Sequence, residues 1–236
     1  MVRGLSASQW HEADNAEHIA TKLASAVEQN LKEAIEAQGS ASLVLSGGST
    51  PLPFFKQLSQ ASLNWSVIDV TLADERWVPE DHEDSNARFV KEHFLTGAAS
   101  DARFFSLYRS SMPDIAIGEV RKALAEITQP FSVVILGMGG DGHTASLFPE
   151  TNGLEAAMSL DTRSMLAFMR PKTVPQVRIT LTRAALLQSR FRYLHITGEQ
   201  KRKVLDKALA QDVEHRLPIA SFFEKHLPPI SVYWSP

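Results

Sequence analysis

Cysteine is absent from the 236 residues of this chain, which excludes thiol nucleophiles, disulfide bonds and cysteine-ligated zinc. Long apolar runs are also missing, since none approaches the roughly 18–20 residues that a membrane-spanning helix needs. The first residues lack the apolar core of about 7–15 residues that marks a secretory signal. These absences predict a cytoplasmic protein with no membrane partner.

An excess of charge of one sign is missing as well. The 24 Lys and Arg residues nearly balance the 27 Asp and Glu residues and leave a net charge of −3. Nucleic-acid binders usually concentrate basic residues on one face, so we expect no nucleic-acid partner. The hydrophobic content of 44% is typical of a globular protein. Because no linker, charge block or repeat divides the chain, residues 1–236 are predicted to form a single domain.

Short apolar runs alternate with amphipathic segments along the chain. In the first helix, residues 13–38, apolar side chains recur every fourth position from Ile19 to Ile35. The other predicted helices cover 87–94, 113–127 and 199–209. The predicted strands cover 42–45, 67–72, 131–136, 165–169, 177–181, 193–197 and 230–234. This alternation predicts an α/β fold with a mainly parallel sheet covered by helices on both faces.

The first loop of unusual composition is residues 46–51, Ser-Gly-Gly-Ser-Thr-Pro, directly after a predicted strand. Two glycines let the backbone turn tightly and approach a ligand, and the hydroxyls add neutral donors. The composition is typical of a phosphate-binding turn, although the Gly-Lys-Ser/Thr ending of a Walker loop is missing. The alternative is an ordinary strand-to-helix turn with a serine cap.

The second loop runs from Asp74 to Asn86 and starts Asp-Glu-Arg-Trp-Val-Pro. An acidic pair beside Arg76 at a strand end is suited to sugar hydroxyls and phosphate, since arginine makes bidentate contacts to oxyanions. Asp74 and Arg76 are therefore candidate binding residues. A solvated loop with a local ion pair is the alternative. The acidic stretch 80–84 predicts a solvated turn rather than a metal site.

The third loop carries Gly137, Gly139 and Gly142 after the strand at 131–136, in the G-x-G-x-x-G spacing of dinucleotide-binding loops. Two features weigh against a dinucleotide. Pro149 would cut the following helix to little more than one turn, and no strand ending in Asp or Glu follows about 20 residues later. The glycines then predict a turn that exposes its polar residues to a ligand. A dinucleotide-dependent oxidoreductase is kept as an alternative.

His143 is the candidate catalytic residue of this glycine-rich turn. Turns of glycine and short polar residues are costly inside a core and common at binding sites. Histidine exchanges a proton near neutral pH, as a general base must. Asp141 is predicted either to orient the imidazole or to contact the substrate. The other seven of the eight histidines are predicted to be ordinary core or surface residues.

These loops together carry a resemblance to a known family. The matching segments are 45–51, 74–79 with Ser85-Asn86, and 136–149, which reads Leu-Gly-Met-Gly-Gly-Asp-Gly-His-Thr-Ala-Ser-Leu-Phe-Pro. They resemble the glucosamine-6-phosphate isomerase/6-phosphogluconolactonase family in order and spacing, and the similarity continues through 177–182 and 197–201. The resemblance implies a single-domain Rossmann-like fold, with a mainly parallel sheet flanked by helices.

The resemblance also implies roles for individual residues. His143 would be the general base that activates water against a lactone carbonyl, and Arg76 would face the same ligand. The residues implied to hold the sugar phosphate are Gly48, Ser49, Thr50, Arg178 and Lys201. The implied partner is a small phosphorylated sugar lactone, and neither a metal nor an organic cofactor is expected.

Phe148 separates the two branches of this family. The deaminase branch carries a glutamate at this position that transfers a proton, and a phenyl ring cannot do so. The resemblance therefore implies hydrolysis of 6-phospho-D-glucono-1,5-lactone to 6-phospho-D-gluconate, the second step of the oxidative pentose phosphate pathway. A deaminase-like isomerase and a non-catalytic sugar-phosphate sensor are the further alternatives. The sequence does not distinguish a monomer from a homodimer.

Overall fold

The computed structural model describes residues 9–110, 112–172, 174–210 and 216–236. Within these ranges the strands are β1 (Trp10–Glu12), β2 (Ala41–Leu45), β3 (Ile68–Leu72), β4 (Asp74–Arg76), β5 (Arg103–Phe105), β6 (Phe131–Leu136), β7 (Leu166–Met169), β8 (Arg178–Leu181), β9 (Ser189–Thr197) and β10 (Ser231–Ser235). The α-helices are α1 (Ala16–Gln38), α2 (Leu52–Leu58), α3 (Asn86–His93), α4 (Pro113–Leu124), α5 (Leu154–Met158), α6 (Arg183–Leu187) and α7 (Glu199–Ala210).

The central sheet has seven strands in the order β1-β10-β9-β6-β2-β3-β5. Every neighbouring pair runs parallel. β2, β3 and β6 are buried along their whole length, as strands are when both faces of a parallel sheet are covered. The predicted α/β fold with a parallel sheet and flanking helices is confirmed.

A second, antiparallel sheet has the order β4-β8-β7. β4 pairs with β8 so that Arg76 lies opposite Arg178 and Asp74 lies opposite Thr180. The predicted polar loop from Asp74 to Asn86 is therefore wrong in its first three residues. Three polar residues carry no apolar alternation, and their pairing depends on β8, about a hundred positions further along the chain.

Helix α1 places the amphipathic segment of the sequence against the central sheet. Its predicted apolar positions Ile19, Leu23, Val27 and Leu31 are fully buried, and the helix packs on β2, β6 and β10. Gly39 ends the helix with φ 78° and donates its N–H to the carbonyl of Ile35 at 2.8 Å. None of the helices in the described ranges is long and apolar enough to cross a membrane.

The segment after β6 determines the shape of the glycine-rich loop. Residues 137–153, all of them described, contain no helix, so the long helix that opens after a dinucleotide-binding loop is missing from this segment. The backbone instead forms a compact turn in which Ala145 adopts φ 48°. A non-glycine residue in this left-handed region stores backbone strain, which is common at functional sites.

Candidate active site

A cavity of about 280 Å³ opens at the carboxyl ends of β2 and β6, which are neighbours in the central sheet. In the central sheet, the strand that follows β2 in the chain is β3, which lies on one side of the β2–β6 pair. The central-sheet strand that follows β6 is β9, which lies on the other side. Parallel sheets bind ligands at such a point of divergence. The predicted site residues that line the cavity are Gly48, Ser49, Thr50, Asp74, Arg76, His143 and Lys201. Within the described ranges, no group of three or more His, Asp or Glu residues could hold a metal ion.

His143 and Asp141 form a hydrogen-bonded pair at the edge of this cavity. Nδ1 of His143 lies 2.5 Å from Oδ1 of Asp141, and the same oxygen accepts the backbone N–H of His143 at 3.1 Å. An ionised carboxylate only accepts hydrogen bonds, so the Nδ1 atom carries the proton and Nε2 keeps a free electron pair. Asp141 is not among the residues that line the cavity, and whether it orients His143 or contacts substrate stays a prediction.

The plane of the His143 ring is fixed by two further neighbours. Phe148 stacks on the imidazole with the ring centroids 4.0 Å apart and the planes at 27°. A Cβ atom at Gly139 would lie 2.2 Å from Cε1 and 2.3 Å from Nδ1 of His143. Position 139 therefore requires glycine because the imidazole occupies the space of a side chain.

Lys201 approaches the turn of Gly48, Ser49 and Thr50 from the start of α7. Burial lowers the pKa of its ammonium group. In the described part of the chain, no carboxylate or other hydrogen-bond acceptor pairs with Lys201. A partly buried cation that has no counterion among the described residues is suited to an anionic ligand.

Glu75 is a structural residue rather than a ligand contact. Its carboxylate accepts the backbone N–H groups of Arg76, Asn86 and Ala87 and the hydroxyl of Ser85, over distances of 2.6–3.1 Å. Burial raises the pKa of Glu75 to about 7, against the opposite effect of the three amide donors. These bonds tie β4 to the beginning of α3.

Arg76 and Asp74 hold the two neighbouring loops in place. Nη1 of Arg76 donates to the carbonyl of Asp84 at 2.9 Å and to Oδ1 of Asn86 at 2.6 Å. Oδ2 of Asp74 accepts the hydroxyl of Ser146 at 2.6 Å. One carboxylate oxygen of Asp74 is therefore hydrogen-bonded to the loop that follows His143. Arg76 lines the cavity.

Arg178 is the predicted binding residue that the structure does not bring to the cavity wall. It lies opposite Arg76 between β4 and β8 and is buried. Burial, and then the charge of Arg76, lower the pKa of Arg178, while the carboxylates of Asp74, Asp84 and Glu75 raise it. Its contact with substrate stays a prediction.

His195 also lines the cavity, although it is not among the site residues predicted from the sequence. It lies near the end of β9 and is 3% exposed. Burial, with a smaller effect of the Lys201 charge, lowers its pKa to about 4. A single histidine within a strand is usually a core or surface residue, and the composition of β9 does not mark His195 as a site residue.

Comparison with known proteins places this site in a family. The model of the glucosamine-6-phosphate isomerases/6-phosphogluconolactonase family matches residues 14–234. A 6-phosphogluconolactonase of Pseudomonas putida is 42% identical over 98% of this chain and 94% of its own length. One from Pseudomonas aeruginosa is 44% identical over 91% of this chain and 89% of its own.

A solved structure extends the similarity to three dimensions. The crystal structure of a 6-phosphogluconolactonase from Shewanella baltica superposes with a TM-score of 0.94 at 41% identity, covering 99% of this chain and 100% of the other. The chain therefore belongs to the glucosamine-6-phosphate isomerase/6-phosphogluconolactonase family. Within that family it is similar to the 6-phosphogluconolactonases, which confirms the prediction of an ester hydrolase of the lactonase branch.

Proposed function

We propose that this protein hydrolyses 6-phospho-D-glucono-1,5-lactone to 6-phospho-D-gluconate, the second step of the oxidative pentose phosphate pathway. One observation carries the proposal: His143, Lys201 and the turn of Gly48, Ser49 and Thr50 line the same cavity. A proton acceptor and a set of anion-binding groups thus face one ligand. Relatives named 6-phosphogluconolactonase over nearly the whole chain support the same reaction.

The phosphate end of the substrate binds at the Gly48–Thr50 turn and Lys201. Two hydroxyls and an ammonium group that pairs with no described carboxylate are complementary to a phosphate dianion. Arg178, the cross-strand neighbour of Arg76, contributes further positive charge. Binding energy from this remote group orients the lactone, so that its carbonyl carbon lies near Nε2 of His143.

Nε2 of His143 removes a proton from a water molecule as the water oxygen attacks C1 of the lactone. The carbonyl electron pair moves to oxygen and forms a tetrahedral oxyanion. When the intermediate collapses, the bond from C1 to the ring oxygen breaks and the imidazolium returns its proton to that oxygen. Asp141 keeps the ring in the required tautomer and balances its positive charge through Nδ1.

Donors for the oxyanion come from the cavity wall. The amides of Gly139 and Gly142 already donate to the carbonyls of His143 and Gly139, both at 3.0 Å. Met138 and Arg76 also line the cavity. We assign the backbone N–H of Met138 and the guanidinium of Arg76 as the donors to the oxyanion.

Phe148 supports hydrolysis over deamination. The deaminase-like alternative needs an acid-base group at this position, and here a phenyl ring stacks on His143 at 4.0 Å. The ring orients the imidazole and carries no proton to transfer. The helix-free segment 137–153 likewise gives no support to a dinucleotide-dependent reaction.

A kinetic comparison of two lactones tests the proposal. We expect the wild-type protein to hydrolyse the 6-phosphorylated lactone above the spontaneous rate. The Lys201→Ala variant should raise KM for that substrate about tenfold or more, since a charge-assisted contact is lost, and should leave kcat nearly unchanged. The KM and kcat of this variant for unphosphorylated glucono-1,5-lactone should differ little from the wild-type values.

Lys203→Ala is the matched control, because Lys203 is exposed two residues further along α7. It should behave as wild type with both lactones. Wild-type hydrolysis no faster than the spontaneous reaction would refute the proposed activity. An equal effect of Lys201→Ala on both lactones would refute the assignment of Lys201 to the phosphate.

A further inference from the structure

His195 is buried at the wall of the active-site cavity and has no hydrogen-bond partner in the described part of the chain. The residue is 3% exposed, and the lack of a partner applies to both Nδ1 and Nε2. Buried polar atoms nearly always find a partner, because leaving one unpaired costs free energy. An imidazole at a cavity wall without a partner among the described residues therefore points to a partner that enters the cavity.

The surroundings of His195 identify the end of the cavity at which it lies. Its ring meets Phe54 of α2 edge-on, with the centroids 6.3 Å apart. α2 is the helix that follows the Gly48–Thr50 turn. The positive charge of Lys201 also acts on the imidazole. His195 thus lies near Lys201 and near the helix that follows the Gly48–Thr50 turn, the groups to which the proposed function assigns the substrate phosphate.

The electrostatic state of His195 determines which hydrogen bonds it can make. Burial and the Lys201 charge lower its pKa to about 4, so the ring is uncharged near neutral pH. A neutral imidazole has one N–H donor and one acceptor nitrogen. The ring is therefore a poor proton acceptor but a competent hydrogen-bond donor. A phosphate dianion offers only acceptors, which complement that donor.

We propose that His195 is a substrate-binding residue that donates a ring N–H to the phosphate held by the Gly48–Thr50 turn and Lys201. The proposal rests on the proposed function, because the phosphorylated lactone supplies the phosphate. Both ring nitrogens are shielded from water, and neither is committed to an acceptor or donor among the described residues.

The His195→Leu variant tests the proposal, because binding and stability should change in opposite directions. Leucine removes two unpaired polar atoms from a buried position, so Tm should be unchanged or higher. The Kd for inorganic phosphate, measured by isothermal titration calorimetry, should rise about tenfold or more, the factor expected for a hydrogen bond to a charged group. KM for the phosphorylated lactone should rise in parallel, with kcat unchanged.

Two further variants complete the test. His195→Gln retains an N–H donor and should recover part of the phosphate affinity. His93→Leu makes the same change at an exposed histidine on α3, outside the cavity lining, and should leave phosphate binding at the wild-type value.

An unchanged phosphate Kd in His195→Leu would overturn the proposal and would leave water as the partner of the ring. If the wild-type protein hydrolyses the lactone, an unchanged phosphate Kd in His195→Leu does not affect the proposed function. Conversely, a protein that binds phosphate through His195 but hydrolyses no lactone would refute only the proposed function.

Discussion

The imidazole of His143 lies so close to Gly139 that a side chain at position 139 would overlap with it. The imidazole lies where a side chain at position 139 would begin, and the Asp141 carboxylate oxygen is also within 2.8 Å of that point. The phenyl ring of Phe148 stacks on a face of the imidazole. The orientation of the proposed base is thus set by packing as well as by its hydrogen bond to Asp141.

Gly139→Ala should lower kcat by about 10–100-fold, because a displaced catalytic group loses its alignment with the substrate. KM should change little, since the phosphate contacts lie at other residues. Gly140→Ala is the matched control: a Cβ atom there meets no atom within 4 Å, and Gly140 has no positive φ. Steady-state kinetics of both variants check the prediction, and equal activities would contradict it.

The sequence predicts His143 and misses His195 for different physical reasons. His143 stands in a turn of glycines and short polar residues, and that composition alone is typical of a site. His195 lies in β9, which mixes polar and apolar residues. Its distinguishing features are its burial, the nearby charge of Lys201 and the lack of a hydrogen-bond partner among the described residues. Burial and pairing are properties of the folded chain, so local composition does not reveal them.

At the scale of elements, β4 is a strand of only three residues that depends on one buried carboxylate. Glu75 accepts four hydrogen bonds, of which three come from the first residues of α3 and the residue before it. Through Asn86, the same segment holds the Arg76 guanidinium. The geometry of the cavity wall therefore depends on the junction between β4 and α3.

Glu75→Gln should lower the free energy of unfolding by about 1–3 kcal/mol, because the new amide group faces backbone donors that lose their acceptor. The measurement is urea denaturation at pH 8.5, above the pKa of about 7 to which burial raises Glu75. Glu92→Gln, which breaks an exposed ion pair with Arg88 on α3, should cost at most about 1 kcal/mol. Equal losses in the two variants would contradict the role of Glu75.

The elements that the sequence predicts best are long and periodic. α1 is predicted from its apolar spacing, and its buried face matches the expectation at Ile19, Leu23, Val27 and Leu31. β1, β4 and β5 have three residues each and were missed. Such short strands form because a neighbouring strand offers its edge, and that neighbour is distant in sequence.

At the scale of the whole molecule, the parallel sheet brings together residues from four separate parts of the sequence. The turn at 46–51, β4, the glycine-rich loop and the segment from β9 to α7 all meet at the carboxyl edge of the strands. The family resemblance predicts that these segments share a ligand. It does not predict that Arg178 pairs with Arg76 across two antiparallel strands, because the sequence does not predict the second sheet that positions Arg178.

The central claim is that His143 activates water while separate groups hold the phosphate. The most direct test is kcat of the His143→Ala variant for the phosphorylated lactone, with inorganic phosphate binding measured on the same sample. The account predicts a loss of about 10²–10⁴-fold in kcat, the range of a general base, and an unchanged phosphate Kd. Wild-type turnover in this variant, or a parallel loss of phosphate binding, would contradict the claim.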